Sequence, residues 1–556
     1  MKNPVIAIGL DAADPVLMEK WMAQGHLKNL SKIRQQGAYG RLKNTLDYAG
    51  GSAEFSSTEP LWVMFTTGCY PNKTGFWDTV KFSPTDYKVT CDKIYSGYDY
   101  QDYQPFYALG DRYRVATFDI PVTRLSNQVN GLQILGWGGH FPFVPSGSQP
   151  AEALPNLIQK YGKNPVLHND DGKWWDAKYE TWLQKAVSHS VTTRADICRD
   201  LLKEEPWDLF LTVFGDTHSL GHDLYDQSQP DHPLYSFRTK NGTTPDPLLE
   251  SFKVVDESIG RILEQAPENA YIFCFAVHGM AANHTDLLSM FHIAEVLYRF
   301  NFPGKVALAP GKIGTTPPPP ITRPIRKGWS GEAWRTNYEP NPLKKLLNTW
   351  APKRFIPRYQ NGLTAPHELA KQGVDLSWAS AMSYSPLWPQ MKAFALPGFA
   401  DGHIRINLKG RERDGIVPAS EYDALCEELA QIFHRLRDGR TGKPLVKQVV
   451  RTRQSGSDDD AKLPDADLVV VWHEIPTDVV DSPDFGRIGP VTFNRPGGHR
   501  PHGFVMAKGP GIEAGSEIVD GQVVDLAPTM LQLLNAPIPD FYDGKSLLDI
   551  STAVVS

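Results

Sequence analysis

The sequence predicts a doubly wound α/β fold, a mostly parallel sheet flanked by helices, with one inserted region. Three observations carry this expectation. Short apolar runs rich in β-branched and aromatic residues recur along the chain with helix-length segments between them, at 5–10, 115–120, 132–135, 209–214, 271–276, 468–472 and 504–507. The first run leads directly into Asp14-Pro15, an N-cap residue followed by proline at the first helical position. The alternation then breaks between residues 281 and 390, where proline, basic and aromatic residues crowd together. No internal repeat is present.

Val5 to Leu10 (VIAIGL) has the continuous apolar character of a strand buried on both faces. A helix over 16–36 should follow, with Leu17, Trp21, Leu30 and Ile33 toward the core. Asp11 stands at the C-terminal end of that strand, where open α/β sheets bind their ligands. A plain helix cap is the alternative, and Asp14 fills that role better. The stretch 56–75 (SSTEPLWVMFTTGCYPNKTG) places Thr58 ahead of the apolar run 61–65. A hydroxyl there meets free backbone N–H groups and the positive end of a helix dipole, which favour a deprotonated oxygen or a phosphate. The simpler reading makes Thr58 the N-cap of that helix.

Composition narrows the class. Of 556 residues, 41% are hydrophobic and 22% charged, which is ordinary for a globular protein. A net charge of −6 gives no general signal for nucleic acid or a membrane surface, and neither is expected as a partner. The five cysteines form no CxxC pair, and the N-terminus carries no apolar signal segment, so a cytoplasmic enzyme is expected. The expected units are a catalytic α/β domain, 1–280 and 391–556, and an inserted cap or lid, 281–390. The insertion offers Arg326, Trp329 and Arg335 among many cations and aromatics. It reads either as an irregular surface excursion or as a lid that brings cations to an anionic substrate.

Histidines mark three further places. After the run 209–214 comes Gly215-Asp216-Thr217-His218-Ser219-Leu220-Gly221-His222, whose two histidines share one face of a helical turn. After 271–276 comes Val277-His278-Gly279-Met280, and before 504–507 comes Gly498-His499-Arg500-Pro501. Asp11, His218, His222, His278 and His499 all flank strand-like runs, which suits one shared site for a divalent metal. Imidazole and carboxylate donors together suit Zn²⁺ first, with Mn²⁺ and Fe²⁺ also compatible.

With these stretches in order, the chain resembles the alkaline phosphatase superfamily, and within it the type I phosphodiesterase/nucleotide pyrophosphatase group. Gly9-Leu10-Asp11-Ala12-Ala13-Asp14 is similar to that group's first metal-binding strand end, and Thr58-Glu59-Pro60-Leu61-Trp62 to its nucleophile motif. His278-Gly279-Met280 and Gly498-His499-Arg500-Pro501 resemble its two later histidine motifs, and 525–529 with 543–547 its tail. The resemblance implies an alkaline-phosphatase-like sheet, two adjacent divalent ions, Thr58 as a metal-bound nucleophile, a covalent phospho-enzyme and hydrolysis of a small anionic phosphate-containing substrate. It groups the ligands as His218, His222 and His499 in one set, and Asp11, Thr58 and His278 in the other. Arg500, with Arg326, Trp329 and Arg335, is expected to bind substrate.

Two positions depart from the family pattern. His218 and Val277 stand where acids are usual, and Asp216 is the candidate that restores the charge. The centre is therefore expected to take one or two ions, with the second set holding its ion more weakly. A sulfatase mechanism is disfavoured, because Trp62 ends a motif that would need arginine there and Thr58 begins one that would need Cys or Ser. Two other readings remain open at this stage: transfer of a phospho- or sulfo-type group to an acceptor other than water, and a non-catalytic binding protein on the same fold.

Overall fold

The computed structural model describes residues 3–91, 97–138, 146–167, 169, 172–239, 246–322, 341–352, 361–458 and 460–549. An eight-stranded sheet organises the chain. Across it the strands run Ala38–Lys43, His502–Lys508, Tyr271–Ala276, Val5–Leu10, Leu209–Phe214, Gly110–Phe118, Val129–Leu135 and Gly147–Gln149. His502–Lys508 and Gly147–Gln149 are antiparallel to their neighbours, and the other six share one direction. The expected mostly parallel α/β sheet is therefore present.

Alternation along the central strand divides two cores. Ile6, Ile8 and Leu10 face a layer that includes the helices Pro15–Ala23, Lys28–Gln35, Ala177–Glu204 and Pro247–Leu263. Val5 and Ala7 face the opposite layer, with the helices Thr58–Thr67 and Leu526–Leu533. The strand is buried on both sides, which is why it reads as an uninterrupted apolar run.

The helix expected over 16–36 is two helices, Pro15–Ala23 and Lys28–Gln35. Gly25, at φ +76°, takes the left-handed conformation that breaks them. Leu17, Trp21, Leu30 and Ile33 nonetheless reach one core, because the short break returns the second helix to the same sheet face.

Leu468–Trp472 corrects a second expectation. It lies in a separate four-stranded antiparallel sheet, in the order Ala393–Leu396, Gly402–Ile406, Leu468–Trp472, Val446–Arg451. An interior strand with all five residues buried looks the same in sequence whichever sheet it joins. The core beneath this second sheet includes Phe291, Trp388, Phe394, Phe433 and Trp472, and so runs on past residue 390.

Beside the second sheet, Arg411 donates twice to Asp467 at 2.7 Å, and the Tyr422 hydroxyl donates to the same carboxylate at 2.9 Å. Arg453 lies 3.2 Å from Asp467, and Arg405 donates to Glu412 at 2.7 Å. Burial alone would raise the Asp467 pKa, but Arg411, Arg405 and Arg453 hold it below the usual carboxylate value.

Candidate metal centre and active site

Three neighbouring parallel strands end at one place. Past Leu10 comes Asp11, past Phe214 the helix Asp216–Leu224 with His218 and His222, and past Ala276 comes His278. A small antiparallel pair, Gly279–Ala282 with Gly497–Arg500, sets Met280 opposite His499 and delivers that histidine to the same point. Thr58 is the first residue of the helix Thr58–Thr67, and Ser57, not Thr58, is its N-cap. The cap reading of Thr58 therefore fails, and its hydroxyl is directed to the histidines.

Tight backbone approach makes this assembly possible. A Cβ on Gly497 would lie 2.1 Å from the carbonyl oxygen of Gly221, so no side chain fits there. The contact lets His222 Nδ1 reach the Gly497 carbonyl at 2.8 Å. Behind the site, the Asn44 amide donates to the carbonyls of Val277 (2.8 Å) and Pro501 (2.9 Å) and accepts from the Val523 N–H (3.0 Å). It holds the His278 and His499 segments in register with the sheet.

All six residues are buried. The Nε2 atoms of His218, His222 and His499 lie 2.8, 2.8 and 3.0 Å from one another. Their opposite ring nitrogens fix the tautomers. His222 Nδ1 meets a carbonyl, which only accepts, and His218 Nδ1 meets Asp11 Oδ2 at 3.0 Å. His278 Nδ1 likewise donates to the Gly279 carbonyl at 3.2 Å, leaving its Nε2 to accept from the Thr58 hydroxyl at 3.0 Å. Thr58 Oγ1 then accepts from His499 Nδ1 at 3.1 Å. The outcome is three Nε2 lone pairs converging on one point. Such an array repels itself unless a cation occupies the point, and the donor set fits a divalent metal. Burial, then the neighbouring histidines, hold the His499 pKa well below its ordinary value, which keeps it a neutral ligand.

The family model for type I phosphodiesterase/nucleotide pyrophosphatase matches residues 5–309, more than half of the chain. The chain belongs to that family of phosphoester hydrolases. Similar solved structures include phosphonoacetate hydrolase from Sinorhizobium meliloti 1021 in complex with phosphonoformate, at 13% identity, 96% coverage of either chain and a TM-score of 0.42. Human ectonucleotide pyrophosphatase/phosphodiesterase 5 matches at 11% identity, 96% of either chain and a TM-score of 0.44. Its inactive murine counterpart in complex with AMP matches at 11% identity, over 97% of this chain and 96% of that one, with a TM-score of 0.42. Comparison with curated proteins gives no match.

In this phosphodiesterase-family chain some expected site residues stand elsewhere. Asp216, expected among the metal donors, is buried and faces Ser190 and Arg194, and is not gathered with the three histidines. Two residues along a helix is more than half a turn, so Asp216 and His218 point to opposite sides. Arg500, expected on the substrate, donates to Glu474 at 2.8 Å and to Asp14 at 3.4 Å. Adjacent strand residues point to opposite faces, so His499 inside the site puts Arg500 outside it. Arg326, Trp329 and Arg335 lie outside the described residues. Val277 packs in the apolar core and supplies no charge. No helix among the described residues is long and apolar enough to cross a membrane.

Other contributors went unrecognised in the sequence. Trp62 Nε1 donates to Asp11 Oδ1 at 3.2 Å, and its place within the Thr58 motif was a usable signal. Asn44 and the Gly497 carbonyl carried none, since both act through backbone contacts made across hundreds of residues.

Proposed function

We propose that this chain is a metal-dependent hydrolase of phosphate esters, a phosphodiesterase or pyrophosphatase acting through a phospho-Thr58 intermediate. The observation that carries the reading is the Thr58 hydroxyl, held at a helix N-terminus between His278 Nε2 and His499 Nδ1, beside three converging imidazoles. A divalent ion held by His218, His222 and His499, Zn²⁺ before Mn²⁺ or Fe²⁺, supplies positive charge that offsets the charge on the phosphoryl oxygens.

The chain's own residues do the rest. His278 Nε2 takes the hydroxyl proton as the Thr58 Oγ1–phosphorus bond forms and the bond from phosphorus to the departing oxygen breaks. That proton then goes to the departing oxygen. Water cleaves the Oγ1–phosphorus bond, restoring the hydroxyl and releasing the phosphate. Asp11 orients His218, and Trp62 orients Asp11. Backbone N–H groups of the first helical turn favour the phosphoryl charge.

The substrate is a small phosphate-containing anion. The region 281–390, whose core continues into the sheet of 393–472, is read as a cap on the catalytic unit 1–280 and 391–556, with Arg326, Trp329 and Arg335 as its substrate-binding residues. Five free cysteines support a reducing, cytoplasmic setting. The test is turnover of bis(p-nitrophenyl) phosphate and p-nitrophenyl phosphate. Hydrolysis lost in chelator and restored by Zn²⁺ is expected; hydrolysis of neither ester, or activity indifferent to chelator, refutes the reading.

A further inference from the structure

The family implies two divalent ions, and the two donor sets do not fit that number equally. In the first set three Nε2 lone pairs point at one another with no proton left to place between them. In the second set the donor atoms are already engaged. Asp11 Oδ2 accepts from His218 and Oδ1 from Trp62. His278 Nε2 accepts from Thr58, and Thr58 Oγ1 accepts from His499. A second ion would have to break this chain of hydrogen bonds, including the one that fixes the His499 tautomer for the first ion.

Charge argues the same way. Asp11 is the one carboxylate among these six residues. The two residues that might have added another do not: Val277 is apolar and fully buried, and Asp216 faces Arg194. Two dications side by side repel each other strongly, and a single shared carboxylate offsets little of that repulsion. Among the described residues, the only group of three or more His, Cys, Asp or Glu side chains gathered closely enough for an ion is His218, His222 and His499; the second set brings two such groups, Asp11 and His278, with Nε2 3.6 Å from Oδ1, beside the Thr58 hydroxyl.

We propose that this chain builds a one-ion centre, in which Asp11, Thr58 and His278 form a metal-free hydrogen-bonded set that holds the attacking hydroxyl. The proposal rests on the hydrolase reading for the role of Thr58, but its test does not depend on turnover. The full-length chain, stripped with chelator and desalted, is titrated with Zn²⁺ against a chromogenic competitor, and the bound ion is counted by elemental analysis. One tight equivalent per chain is expected. His222→Ala should lose it, and His278→Gln should keep it.

Two tight equivalents in the wild-type chain, none at all, or loss of the ion in His278→Gln would each overturn the one-ion centre. Circular dichroism checks that the variants fold, and if either does not, the wild-type count still decides. The two readings fail separately. A chain with two ions that hydrolyses bis(p-nitrophenyl) phosphate overturns the one-ion centre and leaves the hydrolase reading standing. A chain with one ion and no turnover does the reverse.

Discussion

The chain buries two polar clusters, and they differ in how their atoms are matched. Beside the antiparallel sheet, Asp467 and Glu412 meet Arg411, Arg405 and Arg453, so each buried charge lies against its opposite. At the ends of the parallel strands, His218, His222 and His499 turn like atoms toward one another. A cluster that satisfies itself specifies the fold. A cluster whose lone pairs converge is complete only with something added. The difference separates a structural cluster from a functional one, although both are equally buried.

Substitutions can break that comparison from either side. The largest effect is expected for Thr58→Ala, which should lower turnover by at least about 10³-fold, as loss of a nucleophile does. The variant should still fold, at a cost of about 1–3 kcal/mol in chemical denaturation, because His278 Nε2 and His499 Nδ1 lose their hydroxyl partner. Near-normal turnover in that variant would remove Thr58 from the chemistry.

Arg411→Met should do the opposite. Leaving Asp467 short of its main partner should cost about 3–5 kcal/mol in chemical denaturation at pH 7, with turnover per folded molecule unchanged. The sign with pH follows from the lowered Asp467 pKa. A carboxylate held below its unfolded value stabilises above that value, about 3.9, and loses the contribution as pH falls through the folded one. The deficit of Arg411→Met should therefore shrink near pH 3, and a deficit independent of pH would argue against the pairing.

His292 sharpens the contrast from within the second core. Neither ring nitrogen has a hydrogen-bond partner among the described residues, and burial, helped by Arg299, pushes its pKa down to about 3. The unfolded chain takes up a proton below about pH 6.5 and the folded chain does not, so stability falls as pH drops from there toward 3. His292→Leu should remove that loss, gaining about 2 kcal/mol at pH 5 relative to pH 7.5. Parallel stability curves for the two proteins would show that this group does not titrate as described.

The smallest effect is expected for Arg500→Gln. Its guanidinium is engaged by Glu474 and Asp14, so kcat/KM should change by less than about tenfold. A larger change, confined to KM, would return Arg500 to the substrate.

What the sequence disclosed follows from how locally each feature is encoded. Strand ends at Asp11 and His278 were legible because a buried parallel strand is a short apolar run with a sharp polar end. His218 and His222 were legible because four residues make a helical turn. Asp216 was misplaced because proximity in sequence says nothing of which side of the helix a residue takes. Leu468–Trp472 was assigned to the wrong sheet because an interior strand carries no record of its partners. The strand Ala38–Lys43 went unread, since its pattern alternates along a sheet edge, partly exposed and with glycine at its centre. The Asn44 contacts left no mark at all, because each partner is a backbone atom of another segment.

Those Asn44 contacts also bear on how the protein comes into being. One side chain near the start of the chain is tied to Val277, Pro501 and Val523. During synthesis Ala38–Lys43 and Tyr271–Ala276 leave the ribosome long before the strand that pairs with both, His502–Lys508, exists, and the lone pairs of His218 and His222 wait with them. At about 5–20 residues per second, tens of seconds pass before His499 and Val523 follow. Until then the nascent protein carries two thirds of an ion-binding site and an uncovered sheet edge. Competence therefore arrives in one late step, when the C-terminal segment threads between Ala38–Lys43 and Tyr271–Ala276 and closes the site behind it.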